Sequence, residues 1–452
     1  MNGSTCAETG RPTGHLVEPI RPGVPPGGRG SPERVTVDGI RRYSVRFAMT
    51  IDDGMSAMTA STLPVVRTCP YAPPAEHVRL REEEPVARVT LPSGVEVWAV
   101  SRLDDIRTLL TDPRFSSDRR HPGFPLLISG QQRMVGNFRP SLIGMDPPDH
   151  GPARRAVVGE FTVKRMAALR PRIQQIVDER IDDLLAGPRP ADLVQALSLP
   201  VPSLVICELL GVPYANHEFF QHHTAQLLRR ATPSDERQAA VEEIQSYLRD
   251  LVTRKAREPG DDLLSRQLAR TADPEDVVSL GFLLLLAGHE TTANMISLGV
   301  MTLLEQPEQL AVIREDPRRT PDAVEELLRY FTIAEFATAR VATQDVEIGG
   351  VPIRAGEGVL ALANAANRDP AAFEDGDALD VERGARHHVA FGFGAHQCLG
   401  QNLARLELQI VFDTLFRRVP GLRLAASVDD LPFKNDAAIY GLYELPVTWG
   451  EA

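Results

Sequence analysis

Phe391-Gly392-Phe393-Gly394-Ala395-His396-Gln397-Cys398-Leu399-Gly400 is a glycine-rich loop that contains a single cysteine and precedes a helix-like segment. Because glycine has no side chain, its backbone can come close to a flat surface. Backbone N–H groups around such a turn can point at the sulfur and favour the thiolate. A thiolate is one of the few axial ligands that proteins use for haem iron. We therefore predict that Cys398 binds the metal of a planar cofactor; the alternative is a buried structural cysteine beside an ordinary glycine turn.

The composition is that of an ordinary globular chain: 452 residues, of which 43% are hydrophobic and 24% charged. A formal net charge of -12 makes a nucleic-acid partner a poor expectation. No apolar run approaches the roughly 18 to 20 residues that cross a bilayer, and the N-terminus has no signal-peptide pattern. We therefore expect a cytoplasmic protein without membrane association. The other cysteines, Cys6, Cys69 and Cys207, form no Cys-x-x-Cys zinc motif, and their wide spacing argues against a disulfide framework.

The chain divides into a short unstructured part and one long folded part. The run Gly23–Gly30 is rich in glycine and proline and is typical of neither a helix nor a central strand. We predict a disordered N-terminal extension over residues 1–61 and one domain over residues 62–452. The β-rich segments on either side of Pro92-Ser93-Gly94 predict a hairpin, and helical patterns dominate the rest. The predicted fold class is mainly α with small β-sheets (α+β), as a single large helix-rich domain.

A long apolar helix is predicted to begin at Asp273-Pro274, where a capping aspartate precedes a proline in the first helical position. The pattern predicts that this helix continues past Leu303. The segment Ala287-Gly288-His289-Glu290-Thr291-Thr292 puts polar residues in its middle, which costs free energy unless something there requires them.

Two of these residues, Ala287 and Thr291, are four positions apart and therefore share one face of the helix. The hydroxyl of Thr291 can bond back to the Ala287 carbonyl and open the helix locally. Beside a reactive iron, an acid such as Glu290 and an alcohol such as Thr291 would suit the delivery of protons to bound dioxygen. A solvent-facing polar stripe, or a buried hydrogen bond between helices, is the alternative.

A possible structural charge cluster is formed by Glu326 and Arg329, which lie three apart on one helical face. Their position between the polar-centred helix and the cysteine loop favours a buried pair over an exposed one. Arg383, just before the loop, could join this pair through a bidentate contact.

Basic residues supply candidates for binding the carboxylates of a cofactor. His150 and Arg154 are four apart and can share a helical face, and Arg340 and His396 are further candidates. For any one of them the alternative is a solvated surface group.

These segments together resemble the cytochrome P-450 family, in the family's own order along the chain. The matching pieces are the Ala-Gly-x-Glu-Thr-Thr helix, Glu-x-x-Arg, the Arg383 region and the Phe-Gly-x-Gly-x-His-x-Cys-Leu-Gly loop. Asn367-Arg368-Asp369-Pro370 and His150-x-x-x-Arg154 also match soluble bacterial members, most similarly the haem-thiolate monooxygenases of actinomycetes. The resemblance covers about residues 62–452. One departure is Gly151-Pro152 after His150, where a helix former would be expected.

The resemblance implies haem b as the cofactor and a role for each matching residue. Cys398 is implied as the proximal ligand of the iron, and Phe391 as the aromatic that packs near its sulfur. The implied partners of the haem propionates are His150, Arg154, Arg340 and His396. Glu290 and Thr291, with Ala287 one turn earlier, are implied as the proton-delivering group. The implied structural cluster consists of Glu326, Arg329 and Arg383.

The implied activity is that of a monooxygenase that inserts one oxygen atom from O2 into a small molecule. No flavin or ferredoxin domain is visible, so NAD(P)H electrons are expected through a separate ferredoxin and its reductase. The basic residues expected to attract an acidic partner are Arg386, His387, His388 and Arg405. We expect a monomer. The alternatives are a peroxide-driven or oxidative-coupling enzyme of this type and a non-catalytic haem sensor.

The residues that the resemblance places around the substrate are mostly apolar, which predicts a bulky lipophilic substrate from secondary-metabolite tailoring or xenobiotic oxidation. The predicted pocket residues are Val135, Leu228, Ile333, Glu335, Phe336 and Ile439. Glu335 is the exception, and it would bind either a substrate amine or hydroxyl or the local backbone.

Overall fold

A computed structural model describes residues 61–127 and 139–450 of the chain. These residues fold as one domain. The predicted N-terminal extension lies outside the described residues except for its last position, and so does the predicted pocket residue Val135. Within the described ranges, no helix is both long enough and apolar enough to cross a membrane.

Helices form most of the secondary structure, as predicted. In the first half of the described chain they are α1 (Ala75–Glu83), α2 (Leu103–Thr111), α3 (His150–Val158), α4 (Val163–Ala186), α5 (Pro200–Leu210), α6 (His217–Leu228) and α7 (Ser234–Arg257). In the second half they are α8 (Leu263–Leu268), α9 (Pro274–Gly288), α10 (Glu290–Glu305), α11 (Pro307–Glu315), α12 (Thr320–Phe331), α13 (Ala363–Ala366) and α14 (Gln401–Arg418).

The strands are short and form small sheets. They are β1 (Ser61–Thr62), β2 (Val86–Thr90), β3 (Glu96–Val100), β4 (Phe115–Ser116), β5 (Ala191–Asp192), β6 (Ala339–Ala342), β7 (Val346–Ile348), β8 (Val351–Ile353), β9 (Gly358–Ala361), β10 (Arg423–Leu424) and β11 (Pro446–Thr448). The largest sheet has the order β1-β2-β3-β9-β6-β4, and β10-β11-β5 and β7-β8 form two more. The predicted hairpin is β2–β3, with Val86 opposite Val100 and Thr90 opposite Glu96.

The predicted long helix starts as expected but is not continuous. The Asp273 side chain accepts a hydrogen bond from the Glu275 N–H at 3.0 Å, and α9 follows from Pro274. The helix stops at Gly288, and α10 begins at Glu290 after His289 at φ -106° and ψ -47°. The prediction of one helix past Leu303 is therefore wrong at the polar segment in its middle.

Helix α10 is the central element of the helical core, since nearly every residue after Thr291 is buried. A Cβ added to Gly299 would lie 2.5 Å from the Phe412 ring of α14, so the two helices approach closely only because residue 299 is glycine. This packing holds the break between α9 and α10 in a fixed place inside the domain. The break contains the residues predicted to be catalytic.

Candidate active site

The cysteine loop has the backbone conformation that its glycines predict. Gly392 and Gly394 have φ values of 69° and 71°, which side-chain-bearing residues rarely adopt. A Cβ on Gly394 would also lie 2.8 Å from the Leu110 carbonyl oxygen. The Cys398 N–H donates to the Phe391 carbonyl at 2.8 Å, which closes the loop just before α14. The loop therefore holds the thiol in one place by backbone geometry alone.

The sulfur of Cys398 lies among groups that act on its charge in opposite directions. Burial raises the pKa of the Cys398 thiol, whereas the backbone N–H groups of Gly400 and Gln401 and the charge of Arg154 act to lower it. Cys207 is also a free thiol, but burial alone raises its pKa to about 12. Cys69 is disulfide-bonded, which the sequence analysis did not anticipate when it argued against a disulfide framework. Among the described cysteines, Cys398 alone has cationic and N–H partners suited to a thiolate.

A group of basic side chains lies beside the loop. The imidazole rings of His150 and His396 stack with centroids 4.0 Å apart, and Arg154 Nη2 donates to the Gln397 carbonyl at 2.5 Å. Burial, followed by the charges of Arg340, His150 and Arg154, lowers the pKa of His396 to about 3. Burial lowers the pKa of Arg340 to about 10. The four residues that the sequence analysis predicted as carboxylate partners span 247 positions of the sequence, and the structure brings them together.

The charge balance of this basic group fits a cofactor that carries carboxylates. Asp146 is the nearby acid, but its carboxylate accepts bonds from the Ser116 hydroxyl and the Ser117 N–H. The buried Nε2 of His150 has no hydrogen-bond partner among the described residues. A buried polar atom without a partner costs roughly 1 to 3 kcal/mol. The propionates of a haem would supply both the missing acceptor and the missing negative charge.

Arg119 belongs to the same region and was missed from the sequence. Burial lowers the pKa of Arg119, and its charge in turn lowers the pKa of Arg340. The surrounding sequence, Asp118-Arg119-Arg120, is a pattern that is common on protein surfaces, so it does not indicate a buried arginine.

The first turn of α3 forms despite the unexpected Gly151-Pro152. The His150 N–H donates to the Asp146 carbonyl at 3.0 Å, and His150 is buried. Pro152 lies in the first turn, where backbone N–H groups have no partner within the helix, so the missing N–H costs little.

The break between α9 and α10 carries the predicted alcohol. Thr291 Oγ1 donates to the Ala287 carbonyl at 2.8 Å. Thr224 and Ser297 make the same kind of bond inside continuous helices, so the hydroxyl bond marks the interruption but does not by itself cause it. Ala287 is exposed and Thr291 half-exposed, although α10 is otherwise buried. Gly288 has a different reason to be small, because a Cβ there would lie 3.0 Å from Ile206 of α5.

The predicted acid, Glu290, faces a partner that the sequence did not suggest. Lys434 Nζ donates to Glu290 Oε2 at 2.9 Å, and the two side chains are 13% and 7% exposed. The preceding His289 is buried, with Nδ1 2.7 Å from the Leu285 carbonyl and Nε2 3.1 Å from Thr224 Oγ1. The break is therefore tied to α6 on one side and to a C-terminal loop on the other.

The structure brings Glu326, Arg329 and Arg383 into one charge cluster, in which Glu326 and Arg329 are buried and Arg383 is partly exposed. Arg329 donates to both carboxylate oxygens of Glu326 at 2.8 Å, and both side chains are 0% exposed. Arg329 also donates to the carbonyls of Asn367, Gly376 and Ala378. Arg383 Nε donates to Glu326 Oε1 at 3.2 Å.

The predicted pocket residues are distributed over two small cavities and the core. Leu228 and Ile439 line a cavity next to Glu290. Glu335 and Phe336 line a neighbouring one, and Ile333 is buried.

Among the described residues, the partner of Glu335 is a distant arginine and not the local backbone. Its carboxylate accepts from Arg67 Nε at 2.6 Å, and both side chains are almost fully buried. The Arg67 guanidinium also lies 4.1 Å from the centre of the Tyr440 ring. Sequence reasoning missed Arg67 because it lies 268 positions away from its partner.

The basic residues predicted to attract an acidic partner have unequal exposure. Arg386 and His387 are exposed, and Arg405 is half-buried with Nε 2.5 Å from Glu325 Oε1. His388 is buried, and its ring lies 6.1 Å from that of Phe391. His388 therefore does not belong to the surface with Arg386 and His387.

A thiol on a rigid loop, a cationic group beside it and an acid–alcohol pair at a helix break define a haem-thiolate site in a helix-rich domain. Comparison with known proteins agrees. The family model "Cytochrome P450" matches residues 203–419. The pentalenic acid synthase of Streptomyces avermitilis is 52% identical over 403 residues, which cover 88% of this chain and 100% of that protein. The 20-oxo-5-O-mycaminosyltylactone 23-monooxygenase of Streptomyces fradiae is 44% identical over 391 residues, covering 85% and 92%.

Solved structures give the same result. The crystal structure of cytochrome P450 MoxA from Nonomuraea recticatena superposes with a TM-score of 0.81 at 61% identity, over 86% of this chain and 99% of that chain. The chain belongs to the cytochrome P450 family. Its relatives include monooxygenases of actinomycete secondary metabolism. Membership implies a haem cofactor, the use of O2 and a need for redox partners.

Proposed function

We propose that this enzyme hydroxylates or epoxidises a bulky lipophilic natural product or foreign compound, acting as a cytoplasmic monomer that receives NAD(P)H electrons from a separate ferredoxin and its reductase. The observation that carries the proposal is the Thr291 hydroxyl at the helix break, bonded to the Ala287 carbonyl beside the buried acid Glu290. Peroxide-driven chemistry does not need such an acid–alcohol pair, which favours a monooxygenase.

In the proposed site, each residue has one task. Cys398 would ligate the iron of the haem, and Phe391 would pack near the sulfur. Arg154 and Arg340 would hold the propionates with their positive charge, and His150 and His396 would do so with ring N–H groups, of which His150 Nε2 has no other partner among the described residues. When bound, haem supplies the activation of O2. Thr291 holds a proton at Oγ1 and Glu290 replenishes it, while the cluster of Glu326, Arg329 and Arg383 fixes the chain on the side of the thiolate.

The proposed substrate lies against apolar side chains above this site. Leu228, Ile333, Phe336 and Ile439 supply that surface, whereas Glu335 is neutralised by Arg67 and is not available to a substrate amine. Two of the relatives are named for pentalenic acid and for 20-oxo-5-O-mycaminosyltylactone, and the proposal of a natural-product substrate follows these names. The ferredoxin is proposed to dock at the surface of Arg386 and His387.

The thiolate assignment is tested by the difference spectrum of the CO-bound ferrous protein. We expect the red-shifted Soret band of a thiolate-ligated haem for the wild type and its loss in Cys398→Ser. A wild-type spectrum without that band would contradict the assignment. Titration against a natural-product library, scored by the Soret shift, would then identify the substrate class.

The proton-delivery assignment is tested by Thr291→Ala, with Thr291→Ser as the matched control that keeps the hydroxyl. We expect Thr291→Ala to consume NADPH with a several-fold lower yield of oxidised product and a matching rise in hydrogen peroxide, and Thr291→Ser to stay close to the wild type. Unchanged coupling in Thr291→Ala would remove the proton-delivering role.

A further inference from the structure

The buried ion pair between Lys434 and Glu290 joins two residues 144 positions apart. Burying both charges is costly unless each satisfies the other. Glu290 Oε2 lies 2.9 Å from Lys434 Nζ, whereas the Thr291 hydroxyl faces the Ala287 carbonyl on the adjacent face of the helix. Lys434 therefore fixes the orientation of the carboxylate, whereas the alcohol is oriented by the Ala287 carbonyl.

The pair lies at the wall of a small cavity that can hold water. Its lining includes Leu228, Glu290, Asn294, Lys434 and Tyr443. The cavity offers about 20 Å³ to the centres of water molecules, which exceeds the roughly 10 to 15 Å³ that one water needs.

Asn294 gives independent support for a water in this cavity. It lies one turn after Glu290 on the same helical face and is 2% exposed. Its Nδ2 has no hydrogen-bond partner among the described residues. A water between Asn294, Glu290 and Lys434 would have the two to four polar partners that buried waters have.

Lys434 is carried by a loop that is bound to the end of helix α6. Its own N–H donates to the Gly441 carbonyl at 2.8 Å. From the same loop, the Ala438 N–H donates to the Leu228 carbonyl at 2.8 Å, and the Asp436 carbonyl accepts from the Arg230 N–H at 2.7 Å. A movement of residues 228–230, which lie beside the proposed substrate pocket, would therefore move Lys434.

We propose that Lys434 is a positioning residue that holds the Glu290 carboxylate at the water-holding cavity, so that protons enter the site there. In this arrangement Glu290 passes a proton to Thr291 Oγ1 as that hydroxyl gives up its own proton, a cavity water returns a proton to the Glu290 carboxylate and regains one from solvent, and Lys434 keeps its own proton throughout. The inference rests on the proposed role of Glu290 and Thr291.

The first experiment measures hydrogen peroxide released per O2 consumed by the haem-loaded enzyme, with NADPH, a plant-type ferredoxin and its reductase, and 7-ethoxycoumarin as a lipophilic probe. This ratio is defined whether or not the probe is oxidised. We expect Lys434→Met to raise it about threefold and Lys434→Arg to return it to near the wild-type value. Lys164→Met is the matched control, since it makes the same substitution at an exposed lysine in the first turn of α4, and it should leave the ratio unchanged.

The second experiment does not depend on turnover. A double-mutant cycle of Lys434→Met and Glu290→Gln is followed by thermal unfolding of the haem-loaded protein. We expect the double variant to lose clearly less in Tm than the sum of the two single variants. Strict additivity would overturn the ion pair. A peroxide ratio in Lys434→Met equal to that of the wild type would overturn the positioning role of Lys434. If Thr291→Ala nevertheless releases more hydrogen peroxide than the wild type, the proposed function survives and only this inference fails.

Discussion

The two sides of the site are built in opposite ways. On the side of the charge cluster, Arg329 makes five hydrogen bonds, two to Glu326 and three to carbonyls, with no exposure to solvent. At the helix break, Glu290 is held by the single contact to Lys434, and Thr291 by one bond to Ala287. A fully bonded network rigidifies a structure, whereas groups with few bonds can exchange partners. The first arrangement suits a fixed metal ligand and the second suits proton transfer.

The largest expected loss of stability comes from disrupting the fully hydrogen-bonded charge cluster of Glu326 and Arg329. We expect Arg329→Met to lower the free energy of unfolding by about 3 to 5 kcal/mol, because it leaves the Glu326 carboxylate buried beside fewer donors. Chemical denaturation of the haem-loaded protein, followed by far-UV circular dichroism, measures this loss. Arg383→Met is the comparison variant; it removes one bond to Glu326 and bonds to three carbonyls near the surface, leaves the Arg329 pair in place, and should cost less, about 1 to 2 kcal/mol. Equal losses for the two variants would contradict the central place of Arg329.

The next largest expected loss of stability comes from lowering the pH, which protonates Glu325, the residue next to Glu326. Burial would raise the pKa of Glu325, but His388 and Arg405 outweigh it and lower that pKa to about 2. Since the folded-state pKa is depressed, the stabilisation is present above the ordinary pKa near 4.5 and is lost as the pH falls from there towards 2.

The contribution of Glu325 is on the order of 3 kcal/mol, at about 1.4 kcal/mol per pKa unit. We expect Glu325→Gln to flatten the dependence of unfolding free energy on pH between 5 and about 2. Urea denaturation at a series of pH values tests this. A variant that keeps the wild-type slope would show that other carboxylates cause the acid sensitivity.

A smaller loss is expected on the side of the helix break. Thr224→Val removes the hydroxyl next to His289 Nε2 and leaves a buried nitrogen without its partner, at a cost of about 1 to 2 kcal/mol. Thr224→Ser keeps the hydroxyl and should stay near the wild type. Both are measured by denaturation, and a loss in Thr224→Val as large as that in Arg329→Met would erase the contrast between the two sides.

The smallest effect on stability is expected at the proposed docking surface. Arg386→Ala removes an exposed charge and should change the unfolding free energy by no more than about 0.5 kcal/mol. The rate of ferredoxin-supported reduction should still fall, most clearly at low ionic strength, because rim charges act mainly on association. Stopped-flow reduction under CO measures it. A rate independent of this substitution at low salt would place the ferredoxin elsewhere.

Much of the site was predictable because its signals are local. The glycines at 392 and 394, the cysteine between a loop and a helix, the cap at Asp273 and the spacing of Ala287 and Thr291 all act within a few residues. The same holds for Glu326 and Arg329, three apart on one helix. The helix break at His289 was the exception, because its polar pattern fits a continuous helix as well as an interrupted one.

What the sequence alone determined is therefore the chemistry: a thiol on a rigid loop, an acid beside an alcohol, and the family. Only the tertiary structure decided which distant groups meet, such as Lys434 with Glu290 and Arg67 with Glu335. The physical reason is that such ion pairs depend on how helices and loops pack across more than a hundred residues. The residues next to a single lysine or arginine in the sequence do not indicate which acid it pairs with.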